Sequence, residues 1–477
     1  MLEHLERQQS LTGNQIKLIG AAIAGNMLDF FDLYLIGFVL SFIVKPWGLT
    51  FGESAIVLLS SGLGAMLGAV FWGALADRIG RRLVFSLTIV NFAVATGAMA
   101  LTQDGAWVYL AVMRFFVGFG AGGLYCVDVP LVLEFVPGRL RGRIAGIVTA
   151  AIPAGLLLAS VAAATLTPLL GWRGLFVVGM APAFLLLFVR AWVPESPRWL
   201  LSRGRVEKAR ESIAWALDVA PETLPLTEAP PASVRIARMR DLLRYPRSLV
   251  VSCLTNLGVQ TGNYGFTMWA PTLLVLVLQI PPLSAAWYMA AISIGGLLGR
   301  FLFSWLVDAI GRRPSGMILG VGAAVTLTLA ASFHEAFIGP LSVFWLTLIV
   351  ANLFIDGGFA VVGPYAAEVW PSWLRTSGMG VAYGFGGIGK IIGPLGLAWI
   401  VGSSNIVTPQ ATVAAILPAY LYLAAWFALA ALAFFAFGIE TRGRSIQALD
   451  SELLGDQAFS RSGAAMAAID RSIPDHR

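Results

Sequence analysis

Charged side chains are scarce in this chain. They make up 12% of its 477 residues, about half the roughly 25% of an ordinary soluble protein. With 58% of the residues hydrophobic, a soluble multidomain protein is excluded. Cysteine is almost missing. Cys126 and Cys253 each sit inside an apolar run, which argues against a disulfide framework and against a zinc site. The three histidines, His4, His334 and His476, lie in tails or a loop, so a histidine proton relay within the membrane is excluded. No Gly-x-x-x-x-Gly-Lys-Ser/Thr stretch occurs, which argues against direct coupling to ATP. No constellation for covalent catalysis stands out, so neither an enzyme nor a cofactor is expected, and no metal. A cleavable signal peptide is not apparent either, because the polar N-terminus leads into an apolar run with acidic residues at its middle. The net charge of +6 does not indicate a nucleic-acid partner, because its placement follows a different logic.

What the chain has in abundance is apolar length. A spanning helix needs about 20 mostly apolar residues. Twelve such runs begin near Gln15, Glu53, Leu83, Ala106, Arg143, Trp172, Arg247, Leu283, Pro314, Ile338, Thr376 and Ala411. Fifty-two glycines and fifteen tryptophans suit close helix packing and membrane interfaces. The expectation is an all-α polytopic membrane protein. Arginine clusters follow the second, fourth, sixth, eighth and tenth runs, whereas the intervening loops hold only Lys45 and Arg173. Cytoplasmic loops are rich in Lys and Arg, so both termini are expected to be cytoplasmic. An Arg-rich, Pro-containing segment separates two sets of six runs. The boundaries expected are a bundle over 1–193, a cytoplasmic loop over 194–246, a second bundle over 247–440 and a cytoplasmic tail over 441–477. Within the loop, Val206–Leu217 has the apolar face of a surface helix.

Two charged elements occur twice in the same order. Asp77-x-x-Gly80-Arg81-Arg82 returns as Asp308-x-x-Gly311-Arg312-Arg313. Glu134-x-x-Pro137-x-x-Leu140-Arg141 returns as Glu368-x-x-Pro371-x-x-Leu374-Arg375. The spacing is 57 residues in the first half and 60 in the second. Such repetition points to duplication of a helix bundle. One copy alone reads as a topology signal. Two matched copies favour a charge latch that holds in one conformation and releases in another.

Gly73–Arg82 resembles the signature loop between the second and third helices of the major facilitator superfamily. Glu134–Gly142, Pro194-Glu-Ser-Pro-Arg-Trp-Leu200, Glu368–Arg375 and Glu440-Thr-Arg-Gly-Arg444 resemble its sugar-porter-like branch, which includes transporters of sugars and of small organic acids. The resemblance implies two pseudo-symmetric six-helix bundles, a central binding cavity and alternating access. It also implies gating rather than substrate contact for Asp77, Arg81, Glu134 and Arg141, and for Asp308, Arg312, Glu368 and Arg375.

Ionisable residues at membrane depth usually face a cavity or a partner. Asp29 and Asp32 share a face of the first run, near its middle. They suit proton coupling, or else a structural hydrogen-bonded pair. The stretch Asp29-Phe-Phe-Asp32 resembles the first helix of metabolite–proton symporters, with Asp in place of Glu. It departs from the Asp-Gly-Phe-Asp of aromatic acid–proton symporters at Phe30. Arg114 resembles the fourth-helix arginine that the superfamily links to proton transfer; bonding to backbone carbonyls of the first helix is the equal alternative. Asp128 lies ~21 Å from Arg114 along a helix and is assigned to the gate. Asn256, Gln260 and Asn263 make one polar face of the seventh run, with Tyr264 beside it. Asp356 and Lys390 fall near mid-span in the tenth and eleventh runs. They either neutralise each other, or Lys390 is the counter-ion of an anionic substrate with Asp356 positioning it. Tyr383 lies near Lys390 and is included in the same substrate set. Arg300 and Arg190 are placed within a turn or two of the cytoplasmic face, as snorkelling or gate residues.

The function expected is proton-coupled symport of a small organic anion, an aromatic or heteroaromatic carboxylate, across the bacterial inner membrane. The partners are a small-molecule substrate, protons and the lipid bilayer, with a monomer as the working unit. Transport of a sugar or polyol, and proton-driven export of hydrophobic compounds, are the alternatives.

Overall fold

The computed structural model describes residues 2–137, 151–180, 192–225, 239–371 and 374–442, with isolated positions at 140, 144, 147 and 148. Within these ranges the side chains of residues 2, 3, 7, 77, 124–130, 202, 239 and 376 fall outside the description. The architecture is almost entirely helical. The first set comprises α1 (Gly13–Ile43), α2 (Phe51–Ile79), α3 (Arg81–Met99), α4 (Trp107–Glu134) and α5 (Ile152–Gly179). A surface helix α6 (Val206–Leu217) follows. The second set comprises α7 (Pro246–Leu278), α8 (Pro282–Ile310), α9 (Arg312–Ser332), α10 (Val343–Glu368), α11 (Arg375–Val401) and α12 (Ile416–Phe437).

Nine of the described helices are long and apolar enough to cross a bilayer. α7 has the length, at 33 residues, but its amides lower its mean hydropathy. α4 is apolar over Trp107–Gly123, beyond which its side chains fall outside the description as far as residue 130. The run expected from Trp172 is only begun: Gly171, at φ 67°, breaks α5, and the chain leaves the described residues after Met180. Two starts differ from expectation. Residues Phe337–Ile338 and Leu341–Ser342 pair as a two-stranded hairpin, so α10 begins at Val343 rather than near Ile338. Pro409–Ala414 is a separate helical turn, and α12 starts at Ile416.

The starts that matched carry local signals. Thr12 accepts the Gln15 N–H at 3.3 Å while the Gln15 side chain accepts the Thr12 N–H at 2.9 Å. Thr50 and Glu53 repeat this reciprocal cap at α2, at 3.2 and 2.8 Å. The turns between α2 and α3 and between α8 and α9 each consist of one glycine, Gly80 at φ 110° and Gly311 at φ 102°. A side chain is strained there, which explains the Gly-Arg-Arg sequence.

Helices pair in a pattern that repeats between the sets. α2 packs on α4 as α8 packs on α10, and α1 packs on α5 as α7 packs on α11. The α2–α4 crossing depends on small residues. A Cβ at Gly118 or Gly122 would collide with the backbone of Ser61 or Ala65. Between the sets, α2 meets α11, α5 meets α8 and α1 meets α7. The backbone bonds that stitch the sets together lie at the end remote from the arginine loops. Phe51 donates to Asn405 O at 3.0 Å, Gly52 to Ser403 O at 2.9 Å and Val407 to Leu49 O at 2.9 Å. At the arginine-loop end, Thr12 and Asn14 donate to the carbonyls of Ala216 and Trp215, holding the N-terminal segment on α6.

Candidate functional site

Charged side chains converge where the two sets meet at mid-depth. On the first set, Asp32 of α1 is fully buried. Arg114 of α4, also fully buried, places Nη1 3.6 Å from its carboxylate. The guanidinium also donates to the backbone oxygens of Asp32 (3.3 Å) and Leu33 (3.1 Å) and to Ser61 Oγ (2.9 Å). Arg114 thus clasps the α1 backbone and faces an acid in one geometry. Neither Asp32 oxygen accepts a well-formed hydrogen bond, Thr96 being the neighbouring hydroxyl. Asp29, one turn earlier, is half-buried. Its charged neighbours are Asp32 and Arg114 within its own set and Lys390 from the other.

On the second set, Lys390 of α11 seats its backbone and Cβ against Gly62 of α2, at the contact between the sets. Its ammonium lies 4.9 Å above the ring of Tyr264, within cation–π range. No ion pair or hydrogen bond joins it to another side chain among the described residues. Asp356 does not pair with Lys390. Its Oδ1 lies 3.9 Å from Nη2 of Arg300, and its Oδ2 accepts from Asn352 at 3.4 Å. Asn352 also donates to Ile292 O at 2.9 Å. The reason is adjacency: α10 packs broadly on α8 and only lightly on α11.

Arg300 therefore needs a corrected position. It is 4% exposed, ten residues before the end of α8, or ~15 Å along the axis. It also lies over Phe359 at 5.3 Å, so it is a core charge rather than a snorkelling one. Tyr34 of α1, not singled out among the expected site residues, links the sets. It is buried, with Thr267 and Tyr264 of α7, Asp356 and Arg300 as its polar neighbours.

The expected amide face of α7 divides into three environments. Asn256 donates to Ser252 O of its own helix at 2.9 Å. Gln260 lies against Gly386 of α11. Asn263 is fully buried with neither amide atom hydrogen-bonded. Tyr383 reaches Gly363 of α10.

The charges expected to gate form two matching clusters. Arg81 pairs with Glu134, which also accepts from Ser196. Arg312 pairs with Glu368 through two bonds, 3.0 and 3.2 Å long, and with Asp308 at 3.2 Å. Glu368 also accepts from Thr441. Glu195 accepts the backbone N–H groups of Arg81 and Arg82 at 3.0 and 3.1 Å. Glu440 accepts those of Arg312 and Arg313 at 2.9 and 3.0 Å. Each carboxylate thus caps a helix start, where backbone N–H groups favour negative charge. Burial alone would raise the Glu440 carboxyl, but the N–H groups of Arg312, Arg442, Arg313 and Thr441 outweigh it and hold it below the ordinary 4.5. These two caps were missed in the sequence. Their signal was the repeated Glu-hydroxyl pair, Glu195-Ser196 and Glu440-Thr441. Arg375 forms no ion pair among the described residues. The side chains of Asp77 and Asp128, and residues Arg141 and Arg190, lie outside the description.

Comparison with known proteins places this arrangement. The sequence pattern of the family described as sugar (and other) transporter matches residues 17–453. The niacin transporter NiaP of Acinetobacter baylyi is 31% identical over 375 residues, covering 78% of this chain and 84% of that protein. The probable 4-methylmuconolactone transporter of Cupriavidus pinatubonensis is 30% identical over 447 residues, covering 91% and 92%. Among solved structures, the xylose transporter XylE from E. coli in a partially occluded inward-open conformation superposes with a TM-score of 0.71 at 20% identity, covering 91% of this chain and all of that one. That likeness concerns the fold. The chain belongs to the sugar (and other) transporter family of the major facilitator superfamily.

Proposed function

We propose that this protein is a proton-coupled symporter of a small organic anion, an aromatic or heteroaromatic carboxylate, working by alternating access across a bacterial inner membrane. The observation that carries the reading is Lys390: an ammonium at the contact between the sets, over an aromatic ring and without an ion-pair partner among the described residues. An ammonium at membrane depth without an ion-pair partner is costly, and a carboxylate would supply one. The Tyr264 ring beside it suits a planar substrate. One relative is named as a transporter of niacin, a heteroaromatic carboxylate, and another as a probable transporter of 4-methylmuconolactone, a small non-aromatic organic acid.

The two acids then take different roles. Asp32 is held at Arg114 and fixes α1 against α4. Asp29, which faces Lys390 in the absence of substrate, loses that counter-charge when an anion takes it and binds a proton in compensation. An anion that travels with one proton moves no net charge, avoiding about 2.3 kcal/mol per 100 mV of opposing potential. The stitched end corresponds to the periplasmic side, and the Arg81–Glu134 and Arg312–Glu368 clusters to the cytoplasmic gate. A polyol substrate is the second reading, favoured by the unpartnered amide of Asn263.

The test uses purified protein in liposomes with an internal pH dye. Nicotinate, benzoate and hexoses are added in turn, with protein-free and D29N vesicles correcting for passive entry of weak acids. Acidification beyond both controls with the acids alone is expected. A response to hexoses and none to the acids would refute the organic-anion assignment and make Lys390 a structural residue.

A further inference from the structure

We propose that the hairpin between α9 and α10 is seated in the bilayer leaflet remote from the arginine loops and anchors that end of the second set in lipid. This inference rests on the membrane-spanning fold and not on the transport reading. α9 has 21 residues, or ~32 Å at a rise of about 1.5 Å per residue, which matches the roughly 30 Å of a hydrocarbon core. Starting from the Gly311 turn at one surface, it therefore delivers Phe333 to the other. The chain does not turn polar there. No charged residue occurs between Glu335 and Asp356, and Phe333, Phe337, Ile338 and Leu341 are all exposed. The strands pair Phe337 with Ser342 and Ile338 with Leu341. Successive strand residues point to opposite faces, so Ile338 and Leu341 share one face and Phe337 lies on the other. The hairpin thus exposes apolar side chains on both of its faces.

The surroundings select lipid over a protein partner. A partner protein would cover one face of a two-stranded hairpin, whereas a bilayer takes in both. The exposed residues Val321, Val325, Leu329 and Phe333 recur every four positions. An apolar stripe therefore runs along α9, which is long and apolar enough to cross the membrane, and continues onto the hairpin. Trp287 in the second turn of α8 and Trp399 in the last turn of α11 lie at the same end and are exposed. Tryptophan collects at the headgroup level of a bilayer. The backbone also suits lipid, where unpaired polar groups are costly. Ala336 donates to Phe333 O at 3.0 Å and Val343 to Ala336 O at 2.9 Å, and Pro340 at the turn has no N–H to satisfy. The matching connection of the first set, between α3 and α4, differs. It exposes Gln103 and Asp104, and Asp104 pairs with Arg173 at 2.7 Å.

The experiment attaches a bimane fluorophore to Ile338→Cys and, separately, to Phe337→Cys in the full-length protein, reconstituted into vesicles of phosphatidylethanolamine and phosphatidylglycerol. Wild-type protein treated in the same way gives the background from Cys126 and Cys253. Gln103→Cys supplies the reference on the polar connection. Quenching is measured with iodide on both sides of the membrane and with a lipid nitroxide placed high on the acyl chain. The labels at Ile338 and Phe337 should both be quenched by the nitroxide and be less accessible to iodide than the label at Gln103. Iodide quenching at either position as strong as at Gln103 would overturn the proposal, by placing the hairpin in water. Shielding from iodide without nitroxide quenching would also overturn it, by assigning the hairpin to a protein contact such as a second copy of this chain.

Discussion

Removing Arg114 should cost far more stability than neutralising Asp32, although the two face each other. The asymmetry follows from their other partners. Arg114 has three neutral acceptors within 3.3 Å besides the acid, whereas the Asp32 oxygens accept no well-formed hydrogen bond. D32N leaves the guanidinium bonded to two carbonyls and a hydroxyl, so the loss is about 1–2 kcal/mol. R114M strands a fully buried carboxylate, and breaking a buried pair from one side costs about 3–5 kcal/mol. The double variant D32N/R114M removes the stranded charge and should recover about 2 kcal/mol or more of that loss. Thermal unfolding in detergent, read by tryptophan fluorescence, ranks the three. The expected order of stability is D32N above D32N/R114M above R114M. Transport separates the two acids: D29N, and not D32N, should retain substrate counterflow while losing proton-driven accumulation. A double variant no more stable than R114M would refute the reasoning, because it would mean that the 3.6 Å separation carries no coupling.

Three further outcomes are expected. K390M should raise the half-saturation concentration for an aromatic acid by about 10- to 100-fold, the loss of one charge-assisted contact, with K390R intermediate; transport titrations check it. E440Q should lower the unfolding midpoint at pH 7. The Glu440 carboxyl lies below its ordinary 4.5, so its contribution is present above that value and fades as pH falls through the lowered one; the gap to wild type should therefore close below pH 4.5. G118L should prevent the α2–α4 approach and lower the unfolding midpoint or the yield of folded protein, because overpacking at a backbone contact costs about 1–3 kcal/mol or more.

The apolar runs were legible because a helix in lipid must satisfy its backbone within itself, leaving length and hydropathy as sufficient signals. The glycine turns were legible because Gly80 and Gly311 take conformations that other residues resist. What was not legible was the choice of partner. Asp356 and Lys390 were both placed at mid-depth, but depth along a helix says nothing about which neighbour a side chain meets. α10 lies against α8, so Asp356 meets Arg300. Arg300 was placed within a turn or two of the cytoplasmic face, but α8 continues ten residues past it, to Ile310. The Glu195 and Glu440 caps escaped because each acts on backbone more than 100 residues away.

Symmetry separates the gate from the interior. The clusters Arg81–Glu134–Ser196–Glu195 and Arg312–Glu368–Thr441–Glu440 repeat partner for partner, as expected of a duplicated element. The interior charges do not repeat. Among the described side chains, the interior of the first set carries Asp29, Asp32 and Arg114, an excess of one negative charge. The second carries Arg300, Lys390 and Asp356, an excess of one positive charge. Across the contact, Asp29 and Lys390 supply the balance. Consider a monoanion bound at Lys390: the site as a whole becomes negative by one, and one proton on Asp29 restores neutrality. A dianion would need a second proton, and the remaining acids, Asp32 and Asp356, already face arginines. On the proposed function, the same asymmetry favours monocarboxylates carried with a single proton. Charge measurements on liposomes should accordingly find monocarboxylate uptake electroneutral, and a net current during that uptake would contradict the balance.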